Sequence, residues 1–81
     1  MAWVYILRGT RGRYYIGATD NFDRRFAEHC NGKVHTTARL GFPLEIVCKR
    51  ELPSFSDALV LERELKKLKN PRFAISRLQS G

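Results

Sequence analysis

A chain of 81 residues is one domain, and at this size only about 60–65% of the unfolded surface is buried, so there is room for one compact core and one site. Fifteen Lys plus Arg against eight Asp plus Glu give a formal charge of +7 and a pI near 10.0, which favours a polyanionic partner. No apolar run approaches the roughly 18–20 residues needed to cross a bilayer, and the apolar first residues lack a basic leader, so the expectation is a soluble, cytoplasmic protein without a membrane role.

Residues 2–7 are β-branched and aromatic and predict a strand buried on both faces. Gly9 and Gly12 supply a turn, and residues 14–17 return as a second strand, making an antiparallel hairpin in which Tyr5 and Tyr15 share a side. A polar turn over residues 18–21 follows, with Asp20 or Asn21 able to cap the next helix. That helix carries Phe22, Phe26 and Cys30 on its apolar stripe, with Arg25 and His29 one turn apart along an edge and Arg24 and Glu28 more exposed. Asn31-Gly32 ends it.

Residues 33–42 lack periodicity and predict a loop, in which Lys33, His35, Thr36, Thr37 and Arg39 offer groups for phosphate contact. Residues 44–51 form a third strand. Pro53 breaks it, and Ser54 with Asp57 opens the longest helix in a capping-box-like pattern, its apolar stripe being Ala58, Leu61, Leu65 and Leu68. Asn70-Pro71 starts a terminal helix through about residue 78. Cys30 and Cys48 show neither C-x-x-C spacing nor a zinc-type cluster and read as reduced, half-buried core thiols. The fold class expected is α+β, one domain over residues 1–81, with a three-stranded antiparallel sheet flanked by about three helices.

Val4-Tyr5-Ile6 and Tyr15-Ile16-Gly17, at hairpin spacing and followed by a helix with Arg25 and a later helix with Glu62, are where the chain resembles the GIY-YIG nuclease superfamily. The resemblance runs from Val4 to about Pro71. It is nearest to small standalone bacterial members and is similar to the N-terminal nuclease of the bacterial excision-repair incision protein. It implies a divalent-metal-dependent DNA endonuclease using one Mg²⁺ or Mn²⁺, with structure or flap preference or with specificity lent by a protein partner. RNA is a second substrate class left open.

The same resemblance implies site residues, and the chemistry of phosphodiester hydrolysis fits them: a base for water, a Lewis acid on phosphate oxygen, and positive charge where negative charge develops. Glu62 would hold the metal, Arg25 would face the pentacovalent phosphate, and Tyr5 or Tyr15 would position or deprotonate the water. Arg25 and a metal would both lower a phenol pKa from its reference of about 10. His29 would bond phosphate or assist proton transfer. Arg24, Lys33, His35, Arg39, Lys66 and Lys69 are the expected nucleic-acid contacts.

Plainer readings stand beside these. Tyr5 and Tyr15 also suit an ordinary strand, Arg24 and Arg25 a solvated face, and His29 a core edge satisfied by backbone. Glu64 rivals Glu62 across the apolar stripe, and Glu62 to Lys66 is an ordinary i, i+4 helix pair. Ala18 stands where the repair nuclease has a lysine, and Asn70 serves equally as a family asparagine or a helix cap. A non-catalytic nucleic-acid-binding module is the second reading, and an anionic-membrane or protein-interaction module rests on charge alone.

Overall fold

The most apolar segment, β1 (Ala2–Arg8), lies at the centre of an antiparallel sheet of order β2-β1-β3, between β2 (Tyr14–Thr19) and β3 (Glu45–Leu52). A computed structural model describes residues 1–80 without the side chain of Thr36, so the phosphate contact expected of Thr36 lies outside the described residues. Strand alternation sends Ala2, Val4 and Ile6 to one face and Trp3, Tyr5 and Leu7 to the other, and both sets are covered. The expectation of a strand buried on two faces is borne out.

On the first face, Ala58, Leu61 and Leu65 of α3 (Phe55–Lys67) and Ala74 and Leu78 of α4 (Pro71–Ser80) complete the main core. On the second, Phe22 and Phe26 of α1 (Phe22–Cys30) pack against Tyr5 and Leu7. A single helical turn, α2 (His35–Ala38), follows α1. The architecture is α+β, with a three-stranded antiparallel sheet between helices.

Caps fall where the side chains predict them. Ser54 accepts from Asp57 N at 3.1 Å, and Asn70 accepts from Arg72 N at 2.9 Å, so Asn70 serves as the cap that starts α4.

Four expectations need correction. β2 continues two residues past Gly17 because Ala18 and Thr19 still pair with Val4 and Trp3. The stretch 33–42 is not wholly a loop: Thr37 donates to Val34 O at 3.2 Å and Ala38 N to Val34 O at 3.0 Å, closing the turn of α2. Cys30 is exposed, because the buried stripe of α1 runs through Phe22 and His29, while Cys48 is half-buried as expected. Leu68 leaves the core stripe of α3 as its extended C-cap and stays 39% exposed.

Candidate active site

α1 begins and ends on side chains suited to those positions. Asn21 Oδ1 accepts from Arg24 N at 3.1 Å, and the helix closes with Gly32 N to His29 O and Lys33 N to Glu28 O, both at 3.1 Å. This double closure needs a left-handed residue, and Gly32 has φ +72°. The helix is thereby held at both ends while Phe22 packs edge-on against Tyr5, ring centroids 5.3 Å apart. Its spacing then delivers Arg25 and His29 toward the hairpin.

In the hairpin, Tyr5 pairs with Gly17 and Leu7 with Tyr15, so the two tyrosines are diagonal neighbours on one face, with ring centroids 6.2 Å apart. Tyr5 swings its ring across the bare backbone of Gly17. A Cβ at Gly17 would stand 2.6 Å from the Tyr5 hydroxyl and 2.8 Å from Cε2 of Tyr15. Glycine is required here by the neighbouring rings, not by its own backbone angles. His29 completes a triangle, 5.7 Å from Tyr5 and 5.1 Å from Tyr15 between centroids.

His29 is fully buried, and its partners assign its protons. Thr37 Oγ1 spends its hydrogen on Val34 O, so it accepts from Nδ1 of His29, which lies 2.8 Å away. That leaves the lone pair of Nε2 to accept from the Tyr5 hydroxyl, also at 2.8 Å. The chain of donors runs from Tyr5 through His29 and Thr37 to the backbone. His29 is therefore satisfied by two side chains, where the plainer reading had backbone.

Electrostatics agrees with this assignment. Burial lowers the His29 pKa below its ordinary value, Arg25 lowers it further, and Glu28 opposes both more weakly. Burial also pushes the Tyr5 phenol up to about 12, with Tyr15 adding to the rise and Arg25 working against it. In the protein alone, burial outweighs the lowering by Arg25 that the sequence led us to expect. Tyr5 is a proton donor at neutral pH and His29 a neutral acceptor.

Arg25 makes an ion pair with Glu28 at 3.2 Å, and its side chain is 37% exposed, so the guanidinium is held in place yet open to solvent. Its hydrogen bond to Glu28 raises its pKa. Glu62 arrives from α3, which packs on the sheet face opposite α1. α1 and α3 therefore lie in different layers. Glu62 nevertheless acts on Tyr5, whose phenol it helps to raise, and its side chain is 19% exposed. Glu64 points elsewhere, bonded to Arg77 of α4 at 2.9 Å.

The remaining expected contacts divide. Lys66, 3.7 Å from Glu62, and Lys69 line a cleft of about 330 Å³ with Tyr14 and Tyr15. His35 and Arg39 line another of about 450 Å³ with Arg13 and Tyr14. Arg24 pairs with Asp20 at 3.5 Å on an exposed surface, and Lys33 is exposed just past α1; neither lines these clefts. Sequence reasoning missed Tyr14 and misread Thr37, which is fully buried and bonded to His29 and Val34 and so is closed to the phosphate contact expected of it. Tyr14 was signalled by strand alternation, which turns it away from Tyr15, whereas nothing in the sequence marked Thr37 as the partner of His29.

Among the described residues no three His, Cys, Asp or Glu side chains cluster as a metal cage. Glu62 offers one half-buried carboxylate, a donor suited to a hard divalent cation whose shell waters and substrate oxygens would complete, the mode Mg²⁺ favours. No helix among the described residues is long and apolar enough to cross a membrane.

The family model of the GIY-YIG catalytic domain matches residues 1–75. A UPF0213 protein of Streptococcus pneumoniae is 34% identical over a match covering 88% of this chain and 72% of that protein. A second, from Photorhabdus laumondii, is 40% identical over 82% of this chain and 64% of its own length, so this chain matches somewhat under two thirds of that relative. The solution NMR structure of a UPF0213 protein from Bacillus halodurans superposes with a TM-score of 0.59 at 33% identity, covering 99% of this chain and 84% of that one.

Proposed function

The chain belongs to the GIY-YIG family, whose domain is of nuclease type, and from that premise we propose that it is a divalent-metal-dependent endonuclease acting on DNA in the cytoplasm. The observation that carries the proposal is the bond from the Tyr5 hydroxyl to Nε2 of a neutral, buried His29. Any buried tyrosine hydroxyl needs a partner, but here the partner is a neutral imidazole able to take its proton, and the Arg25 guanidinium stands beside both.

Tyr5 is the group that takes the proton of the attacking water, and it does so by passing its own to His29. The phenol held at about 12 and the lowered imidazole keep that proton on Tyr5 at rest, so the transfer accompanies attack and does not precede it. Arg25 exchanges Glu28 for the phosphate, and its planar donors stabilise the oxygens as charge accumulates there. Tyr15, against the His29 ring, orients the water. Glu62 would hold the Mg²⁺ or Mn²⁺, which supplies Lewis-acid polarisation of the phosphate when bound. Thr37 fixes the His29 tautomer.

Substrate preference belongs to branched or flapped DNA, or to sites chosen by a protein partner, because a domain this small carries little surface for reading sequence. The deciding experiment is cleavage of labelled single-stranded, duplex, flap and branched DNA with Mg²⁺ or Mn²⁺ and with EDTA. Metal-dependent cutting that disappears in Glu62→Gln and in Arg25→Ala is the expected result. Salt-sensitive binding without cutting of any substrate would move the assignment to a non-catalytic nucleic-acid-binding module.

A further inference from the structure

Tyr14 stands between two clefts whose cations the hydrolytic chemistry leaves unused. Strand alternation sets it on the face opposite Tyr15, where it packs part-buried against the main core beside Ile16. To one side lies the cleft of about 330 Å³ with Lys66 and Lys69, and to the other the cleft of about 450 Å³ with Arg13, His35 and Arg39. Both fall in the ~300–1,000 Å³ range of ligand-sized clefts. Among the described residues no carboxylate pairs with Arg13, Arg39 or Lys69, so each cleft keeps at least one uncompensated cation, although Lys66 in the first pairs with Glu62.

Cations on either side of a fixed aromatic ring suit one kind of polymer. Backbone phosphates meet the charges, and a base whose face is free meets the ring. In a duplex the base faces are already stacked, so Tyr14 has nothing to receive there. β2 is an edge strand, and Tyr15 lines the first cleft while also touching His29, which joins this route to the catalytic cluster.

We propose that an unpaired DNA strand crosses the edge of β2 from the Arg13–Arg39 cleft to the Lys66–Lys69 cleft, stacking one base on Tyr14. The proposal rests on the nuclease reading and deepens it, since it makes the unpaired strand the feature by which a substrate is chosen.

The test is binding, measured in EDTA so that cutting plays no part. Fluorescence anisotropy follows a labelled oligothymidylate and a blunt duplex of equal length. Tyr14→Leu keeps apolar bulk against the core and removes the ring. It is expected to weaken the oligothymidylate about tenfold, as loss of one stacked base should, and to change the duplex less than about twofold. Tyr14→Phe should bind like the wild type. Arg39→Ala with Lys69→Ala should lower the slope of log affinity against log salt by about 1.4 for the oligothymidylate.

A folded Tyr14→Leu that binds the oligothymidylate as the wild type does, or loses duplex equally, overturns the proposal. An unchanged salt slope in the double variant overturns it independently, even if Tyr14→Leu fails to fold. Since no cleavage is read, a protein that never cuts still decides the strand path.

Discussion

The Tyr5 hydroxyl and Nε2 of His29 meet at 2.8 Å, and the raised phenol and lowered imidazole both keep the shared proton on the tyrosine. The pH behaviour expected of this pair follows from where that proton sits.

Stability should fall as pH drops below about 6.5, the unfolded histidine value, because the unfolded chain then binds a proton that buried His29 refuses. At the other extreme the folded chain keeps the Tyr5 proton while the unfolded one releases it above about 10, so stability should fall again as pH rises toward 12. Thermal melts across pH, compared with His29→Gln, check the acid limb: the variant should show a flatter dependence between about pH 6.5 and 5.5. Cleavage should decline over the same acid range, since a charged His29 cannot accept from Tyr5.

Thr37→Val keeps the shape of the side chain and removes the acceptor for Nδ1 of His29. Leaving that buried N–H without a partner should cost about 1–3 kcal/mol and shift the pH profile of cleavage. Thr37→Ser should restore both. A purely structural threonine would lower the melting temperature without moving the profile.

Gly17→Ala places a methyl 2.6 Å from the Tyr5 hydroxyl and 2.7 Å from its Cζ, so the ring must leave its seat. The expected loss of stability is about 1–3 kcal/mol, some tens of degrees at most in a domain this small. Cleavage should fall by about a hundredfold or more, as misplacement of about 1 Å does elsewhere. Melting and cleavage measured on the same preparation separate the two effects.

Glu62 and Glu64 lie two residues apart and should behave oppositely. Glu64→Gln removes one exposed bond to Arg77, about 0–1 kcal/mol, and should leave cleavage within about twofold. Glu62→Gln should abolish cutting while duplex binding in EDTA persists. Equal activity in the two variants would sink the assignment of Glu62 as metal ligand.

The fold was largely legible because its signals are local. The apolar run of β1, Ser54 before α3, Asn70 before Pro71 and Gly32 after α1 each act within a few residues, and each stands where its chemistry predicts. The extension of β2 through Thr19 was not legible, because it depends on partners in β1. Nor was the turn of α2, a four-residue helix held by Thr37 and Val34 without periodicity.

The site divides along the same line. Tyr5, Tyr15, Arg25 and His29 come together as their order along the hairpin and α1 implies. The depth of His29 did not follow from its helical position, because Thr37 covers it from eight residues away. The pKa of Tyr5 could not be read from its neighbours either, since burial within the fold decides it.

The sheet divides the proposed machinery in two, with Arg25 and His29 on the helix of one layer and Glu62 on the helix of the other. A newly synthesised chain exposes the hairpin and α1 first, holding every expected group except the acid. Under the proposed mechanism, competence to cut would arrive only when α3 docks across the strands. If the proposed nuclease activity holds, a half-folded or locally opened copy would be harmless to the DNA around it, and the division would act as a safety catch released by completion of the fold.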